Sequence, residues 1–328
     1  AFFNQSNEQI CQRQRFFTQR SHAAQRLSGH EHVQPAVQRR HVDDGLSAAQ
    51  IAVHAGGGAV VGGERKRCRV TPPAGQRLPE AAGVARVVTA LTDPDPRVAG
   101  QGHAMLRQAG IAVTEQVMAG PATVLNAGFL KRVTQGLPHL TLKLATSLDG
   151  RIATASGESR WISGPLARRA VHTLRLTHDA VMIGSGTALA DDPDLTARDI
   201  GAGHQPLRIV LDSRLRHAPG SRLGQTARET PVWLVHTDAA PLAARQGWSA
   251  TGARLIAVPS DGGHVDLRAA MQALAAEGLT RIFCEGGADL AAGLIRAGLV
   301  DELAQFSAGA LIGAEGRAAL GPLGCAAL

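Results

Sequence analysis

From Leu140 to Phe306 the chain alternates between two kinds of apolar run, and that alternation limits what it can fold into. Short stretches rich in Val, Ile and Leu read as strands: Leu140–Ala145, Ala180–Ile183, Leu207–Leu211, Val232–His236, Arg254–Val258, Arg281–Cys284 and Leu303–Phe306. The segments Pro165–Thr177, Pro241–Gln246, Leu267–Glu277 and Ala288–Ala297 read as helices. Strands that alternate with helices predict a mostly parallel α/β sheet. Ser163 is a candidate N-cap, with Pro165 in the first turn of its helix.

The region before Leu140 divides in two. Val84–Leu91, Val98–Gly110 and Ile111–Val117 predict a strand, a helix and a strand, and Pro121–Gln135 predicts one linking helix. Residues 1–80 hold ten Gln and five His and sustain neither a period of 2 nor one of 3.6, so no core can be built from them and little order is expected. They also hold 11 Lys and Arg against 6 Asp and Glu, whereas the rest of the chain has 23 against 21. The net charge of +7 therefore sits mainly in one odd segment, which reads as a solvated basic tail more readily than as a nucleic-acid surface. No run of eighteen apolar residues exists, so no membrane span is expected, and the N-terminus does not read as a secretory signal. Cys11, Cys68, Cys284 and Cys325 are few and scattered, which fits a reducing, cytoplasmic setting.

Candidate chemistry gathers where strands end. Gly184-Ser-Gly-Thr187 follows one strand, and Glu285-Gly-Gly-Ala-Asp-Leu290 follows another and opens a helix. A helix start after bare glycines suits a phosphate, though two glycines there are as often only a turn. There is no G-x-G-x-x-G fingerprint for a Rossmann site. Asp191-Asp192-Pro193 reads as a loop after a strand, Glu285 as a carboxylate at a strand end, and Arg175 and Arg198 as guanidinium groups that are either surface charges or anion partners.

Leu144-Ala-Thr-Ser-Leu-Asp-Gly-Arg-Ile-Ala-Thr-Ala-Ser-Gly-Glu-Ser-Arg-Trp161 and Gly184-Ser-Gly-Thr-Ala-Leu-Ala-Asp-Asp-Pro-Asp-Leu-Thr-Ala-Arg198 together resemble the reductase half of the bifunctional riboflavin-biosynthesis deaminase/reductase. Asn126-Ala-Gly-Phe-Leu-Lys131 extends the resemblance, which runs from about Ala82 nearly to the C-terminus. It implies a dihydrofolate-reductase-like, mostly parallel sheet with helices on both faces, preceded by a remnant of a cytidine-deaminase-like α/β domain. The implied division is 1–80 atypical, 81–120 deaminase remnant, 121–139 linker and 140–328 reductase. The implied reaction is NADPH-dependent reduction of the ribosyl group of 5-amino-6-(5-phosphoribosylamino)uracil to the ribityl form. The resemblance places Ser159, Arg175, Leu195, Arg198 and Glu285 on the substrate. It places Ala145, Trp161, Thr187, Asp191 and Ser213 on the cofactor, with Gly287, Ala288, Asp289, Leu290, Ala291, Ala292 and Gly293 as the turn and helix that take its phosphates. Asp191, Glu285 and Lys143 are the catalytic candidates. The expected partner is a small phosphoribosylaminopyrimidine, with no membrane and no nucleic acid. A homodimer through the reductase domain is a further expectation.

The resemblance fails in two places. The family's deaminase half uses zinc and needs a His-Ala-Glu motif, whose Glu is the general acid/base, and a Pro-Cys…Cys pair. Here His54-Ala55-Gly56 has no Glu, and Thr71-Pro72-Pro73 is followed by Ala74, so no metal residue can be assigned and the deaminase activity is expected to be lost. The return of family-like sequence at Ala82 reads as a fragment, or as an altered reading frame upstream. The family also continues for about one more strand pair past Leu328, so an exposed sheet edge is expected. The rival readings are a full bifunctional enzyme and a non-catalytic scaffold with a basic, nucleic-acid-binding arm.

Overall fold

In the computed structural model, the described residues are the backbone of 51–54 and the whole of 84–160 and 162–324. Trp161 and most of 1–80 lie outside them. The chain first forms β1 (Ile51–His54), β2 (Arg86–Thr89), α1 (Gln101–Gln108), β3 (Ala112–Thr114), α2 (Ala119–Leu125) and α3 (Ala127–Gln135). There follow β4 (His139–Thr146), β5 (Arg151–Ala153), α4 (Pro165–Leu176), β6 (Ala180–Gly184), α5 (Ser185–Asp191), β7 (Leu207–Leu211), α6 (Arg222–Gln225) and β8 (Val232–His236). The last elements are α7 (Leu242–Thr251), β9 (Arg254–Ala257), β10 (Ser260–Asp261), β11 (His264–Val265), α8 (Leu267–Ala276), β12 (Arg281–Gly286), α9 (Ala288–Arg296), β13 (Glu302–Ser307) and β14 (Arg317–Ala318).

Seven strands form one sheet in the order β13-β4-β12-β6-β7-β8-β9, and every neighbouring pair is parallel. Successive side chains of a strand point to opposite faces, and here both faces are buried. Met182, Ile209, Val235, Ile282 and Cys284 pack on one face with Met271 and Leu274 of α8 and Ala291 and Leu294 of α9. Val181, Ile183, Val210, Leu234 and Phe283 pack on the other with Val171 and Leu174 of α4, Ala188 of α5, Leu223 of α6 and Trp248 of α7. This is why the strands read as unbroken apolar runs rather than as alternating ones. Each fully buried large side chain contributes about 1.5–3 kcal/mol.

Upstream, β1, β2 and β3 form a small sheet, with β1 antiparallel and β3 parallel to β2. A strand at 51–54 departs from the expectation of little order across 1–80; its register pairs Ile51 with Thr89 and His54 with Arg86. The single helix expected over Pro121–Gln135 is two, α2 and α3. Asn126 stands between them and its Nδ2 donates to Ala122 O at 2.8 Å, a local bond that competes with helix continuation. Helix α3 then packs closely: a Cβ on Gly128 would stand 2.6 Å from Thr280 O, and Lys131 Nζ meets Asp301 Oδ2 at 2.6 Å.

Two other expectations change, and one element is new. The N-cap of α4 is Gly164, not Ser163, because Pro165 occupies the first helical position and holds its predecessor extended (φ −71°, ψ 173°). Asp191 ends helix α5 rather than lying in a loop; Pro193 then stops the helix, and Asp192 takes the left-handed conformation at φ 39°. The β10–β11 hairpin was not anticipated, although Asp261-Gly262-Gly263 carries its signal: both glycines have positive φ (54° and 80°), as a tight primed turn requires.

Candidate active site

Parallel strands place their carboxyl ends on one edge, and ligands of α/β sheets bind there. The chain runs from β4 to β6 and outward to β9, then returns to insert β12 between β4 and β6. Glu285, near the end of β12, follows Cys284, which opposes Leu142 on β4 and Met182 on β6. The pairing of β12 with β6 is irregular at this point: Cys284 opposes Met182 and Gly286 opposes Ile183, so Glu285 is the extra residue of a bulge. Bulges re-aim side chains at sheet ends.

Arg175, near the end of α4, meets that carboxylate in a fork. Its Nε donates to Glu285 Oε1 at 2.5 Å, its Nη2 donates to Oε2 at 2.9 Å, and its Nη1 donates to Thr196 O at 2.6 Å. Both side chains are only 11% exposed, so the pair is largely desolvated and neither residue is a surface charge. Burial by itself would raise the Glu285 pKa; the charge and hydrogen bonds of Arg175, helped by Lys143 and His172, outweigh it and hold the carboxyl below its usual range. Burial pulls the Lys143 ammonium pKa down, with Glu285 opposing the shift and Arg175 adding to it.

The second component is the turn from β12 into α9. Gly286 has φ 98°, and Gly287, the N-cap, has φ 105° and ψ 132°, a conformation essentially reserved for glycine. Thr187 Oγ1 donates to Gly286 O at 3.1 Å, and a Cβ on Gly287 would stand 3.2 Å from that same hydroxyl. The turn is therefore bare backbone pressed against Thr187, followed by the free amides of the first turn of a nine-residue helix. Such amides, with the helix dipole behind them, suit a phosphate.

One cleft of about 1980 Å³ joins these parts. Lys143, Ala145, Ser159, Arg175, Thr187, Asp191, Leu195, Arg198, Ser213, Glu285, Gly287, Ala288, Asp289, Leu290 and Gly293 all line it. Ala291 and Ala292 do not: at 0% and 1% exposure they belong to the buried face of α9, because a helix cannot turn every residue of a continuous run toward one ligand. Trp161 lies outside the described residues.

The loop after α5 is fixed by residues not singled out from the sequence. Arg198 Nη1 pairs with Asp194 Oδ2 at 2.8 Å, and the Arg198 amide donates to His172 Nδ1 at 3.3 Å. Gln205 clamps Ala197 through both its amide and its carbonyl, at 2.7 and 3.0 Å. Arg208, fully buried in β7, donates to Asp194 O and to Thr226 Oγ1; burial lowers its pKa to about 10. An arginine inside the apolar run Leu207–Leu211 was the available signal. Asp192 and Asp191 then differ. Asp192 Oδ1 accepts the Arg222 amide at 3.0 Å and shapes the turn, while the exposed Asp191 carboxylate has no hydrogen-bond partner among the described residues and faces the cleft. Asp191→Asn is expected to lower reductase kcat/KM by about tenfold or more, the worth of a hydrogen bond to a charged group. Asp192→Asn keeps its acceptor oxygen and is expected to cost less than about threefold. Steady-state kinetics at matched melting temperature checks this, and equal losses would count against the assignment.

A parallel sheet whose carboxyl-edge cleft combines a glycine turn suited to phosphate with a largely buried arginine–carboxylate pair defines the class: an α/β domain with a ligand-sized cleft at its sheet edge. Residues 138–327 match the family model described as RibD C-terminal domain. The riboflavin biosynthesis protein RibD of Escherichia coli K12 is 43% identical over 259 residues, covering 75% of this chain and 68% of that protein. The solved structure of Acinetobacter baumannii RibD is 34% identical with a TM-score of 0.65, covering 74% of this chain and 66% of that one. The Thermotoga maritima diaminohydroxyphosphoribosylaminopyrimidine deaminase/5-amino-6-(5-phosphoribosylamino)uracil reductase is 27% identical with a TM-score of 0.62, covering 74% and 64%. The chain belongs to the RibD family of riboflavin biosynthesis and carries its reductase domain. It spans about two thirds of the length of these relatives. Among the described residues no helix is long and apolar enough to cross a membrane.

Proposed function

We propose that the chain reduces the ribosyl group of 5-amino-6-(5-phosphoribosylamino)uracil to the ribityl form with NADPH as donor, and that it does so without the companion zinc deaminase activity. The observation that carries the reading is the Arg175–Glu285 pair beside Lys143, set next to the glycine turn at one sheet edge. Residues 140–328 form the reductase unit in this reading, 121–139 the linker and 81–120 the deaminase remnant.

The cradle fits a dinucleotide. Gly286 and Gly287 leave the backbone open, the amides of Ala288, Asp289 and Leu290 follow, and Thr187, Asp191, Ala145 and Ser213 line the same cleft. NADPH, when bound, supplies a hydride to C1′ of the substrate. The chain's own residues hold and orient the partners. Arg175 keeps Glu285 ionised, so its carboxylate accepts hydrogen bonds from ribose hydroxyls while Ser159, Leu195 and Arg198 bound the substrate. As the C1′–O4′ bond breaks, its electron pair goes to O4′, which takes a proton. Lys143 is the donor at hand, and its lowered pKa favours release.

The deaminase statement rests on the sequence alone: His54 has no Glu beside it, and no paired cysteines follow Pro72-Pro73. Among the described residues no group of three or more His, Cys, Asp or Glu could hold a metal, but the family's zinc segment lies outside them.

The purified chain should oxidise NADPH in the presence of the aminouracil ribosyl phosphate with a kcat/KM at least about tenfold above that with NADH, and release no ammonia from the diaminopyrimidine precursor. A tenfold preference needs only about 1.4 kcal/mol of extra contact with the 2′-phosphate. Equal use of the two donors would refute the cofactor reading. Ammonia release with stoichiometric zinc would refute the loss of the deaminase.

A further inference from the structure

The two arginines placed on the substrate already have anionic partners. Arg175 is forked onto Glu285, and Arg198 is paired with Asp194, which Arg222 Nη1 also approaches at 3.5 Å. A phosphate monoester carries close to two negative charges at neutral pH. Arg175 and Arg198 can donate hydrogen bonds to it, although each already holds a carboxylate. A cation without a carboxylate partner on the same cleft would supply further charge.

Arg317 has that property, shared on this cleft by Arg169 of α4. It lines the cleft, and its guanidinium has no hydrogen bond or ion pair among the described residues. Its place is built rather than accidental. Strand β14 pairs antiparallel with β5, and the chain on both sides of it is laced to the turn after β4. The Leu148 amide donates to Ala310 O at 2.8 Å, and the Ala319 amide donates to Gly150 O at 3.0 Å. The amides of Ile312 and Gly313 donate to the Asp149 carboxylate, Gly313 at 2.7 Å. Ser147 Oγ donates to the same group at 2.6 Å, and these bonds hold its pKa at about 2. At the end of this strap the Arg317 guanidinium rests against Gly157, two residues before Ser159. Gly157 has φ +92°, and a Cβ there would stand 3.0 Å from Arg317 Nη2 and 3.3 Å from Cζ. The loop that carries Ser159 thus leaves room for this guanidinium by lacking a side chain where it lies.

We propose that Arg317 is a specificity-determining residue that pairs with the phosphate of the substrate's ribose phosphate, delivered to the cleft by the strap over residues 147–157. The proposal rests on the reductase reading for its substrate. Its test separates the two.

The experiment uses the full chain and its Arg317→Ala, Arg317→Gln and Arg317→Lys variants. Inhibition constants are measured for ribose 5-phosphate and for ribose, against the aminouracil ribosyl phosphate. The native chain should bind ribose 5-phosphate much more tightly than ribose. Arg317→Ala and Arg317→Gln should weaken ribose 5-phosphate at least twentyfold and ribose less than twofold, and Arg317→Lys should recover part of the loss. Gln and Lys keep an aliphatic stem at this position of β14, so folded variants are available even if Ala melts early. Equal weakening of both ligands would show a merely structural role and overturn the proposal. Unchanged affinity for ribose 5-phosphate in the variants would overturn it as well, while turnover by the native chain would leave the reductase reading standing. A native chain that turns over no substrate with NADPH would overturn the reductase reading instead.

Discussion

Arg175→Met is expected to cost about 3–5 kcal/mol of stability and at least about a thousandfold in reductase kcat/KM. The stability loss comes from leaving Glu285 desolvated at the end of β12 with its fork removed, the usual consequence of breaking a buried ion pair from one side. The activity loss comes from the same event, because a carboxyl that takes up a proton loses the charge that strengthens its hydrogen bonds to ribose hydroxyls and that stabilises the Lys143 ammonium. The pH dependence gives a signature. In the native chain the lowered Glu285 pKa contributes stability that is present above the unfolded value of 4.5 and lost as pH falls through the folded value. Without Arg175, burial is expected to outweigh the remaining influence of Lys143 and His172 and to raise the folded pKa above the unfolded one, so the variant is stabilised at low pH and loses that contribution as pH rises. The difference in melting temperature should therefore widen as pH increases from about 4 to about 8. The double variant Arg175→Met, Glu285→Leu should regain most of the stability and none of the activity, because replacing both partners removes the unpaired charge. A melting gap that is flat with pH would show that Glu285 is not the group responsible.

Gly287→Ala is expected to weaken NADPH binding by about 5–150-fold while leaving the fold intact. At φ 105° and ψ 132° an L-residue costs of order 1–3 kcal/mol. The free chain can relieve that strain by turning the peptide away, against a Thr187 hydroxyl only 3.2 Å from the new methyl group. Binding then has to restore the native turn before the amides of α9 can donate, and the strain reappears as lost affinity. Gly186→Ala is the comparator for stability: it lies within α5, has no positive φ, and a Cβ there meets nothing within 4 Å. Fluorescence titration of NADPH with thermal melts distinguishes the cases. Native affinity in Gly287→Ala would remove the turn from the cofactor site.

Much of the sheet was legible because burial on both faces of a parallel strand leaves a local trace. Val181, Met182 and Ile183 are all fully buried, and no alternation was needed to find them. The helices α8 and α9 were legible for the same reason, through the period of Ala270, Met271 and Leu274 and of Ala291 and Leu294. Short elements were not. Strands β5 and β14 are three and two residues long and exist only because they pair with each other across more than 150 residues. The break at Asn126 and the start of α4 at Gly164 each turned on a single local bond or ring that outweighs helix propensity.

The site divides along the same line. The sequence by itself determined which residue types stand at or near the ends of elements: the Gly286-Gly287 pair and the carboxylate of Glu285 at a strand end, the carboxylate of Asp191 after another strand, and the guanidinium groups of Arg175 and Arg198. It also determined that the sheet would be parallel, and hence that those ends share an edge. Only the tertiary structure decided that β12 inserts between β4 and β6, and so that Glu285 meets an arginine 110 residues away rather than water. It likewise turned Ala291 and Ala292 into the core and laid Arg317 over Gly157. The physical reason is that apolar burial leaves a periodic pattern along the chain, whereas the partner of a charge is set by distances in space that no local pattern records.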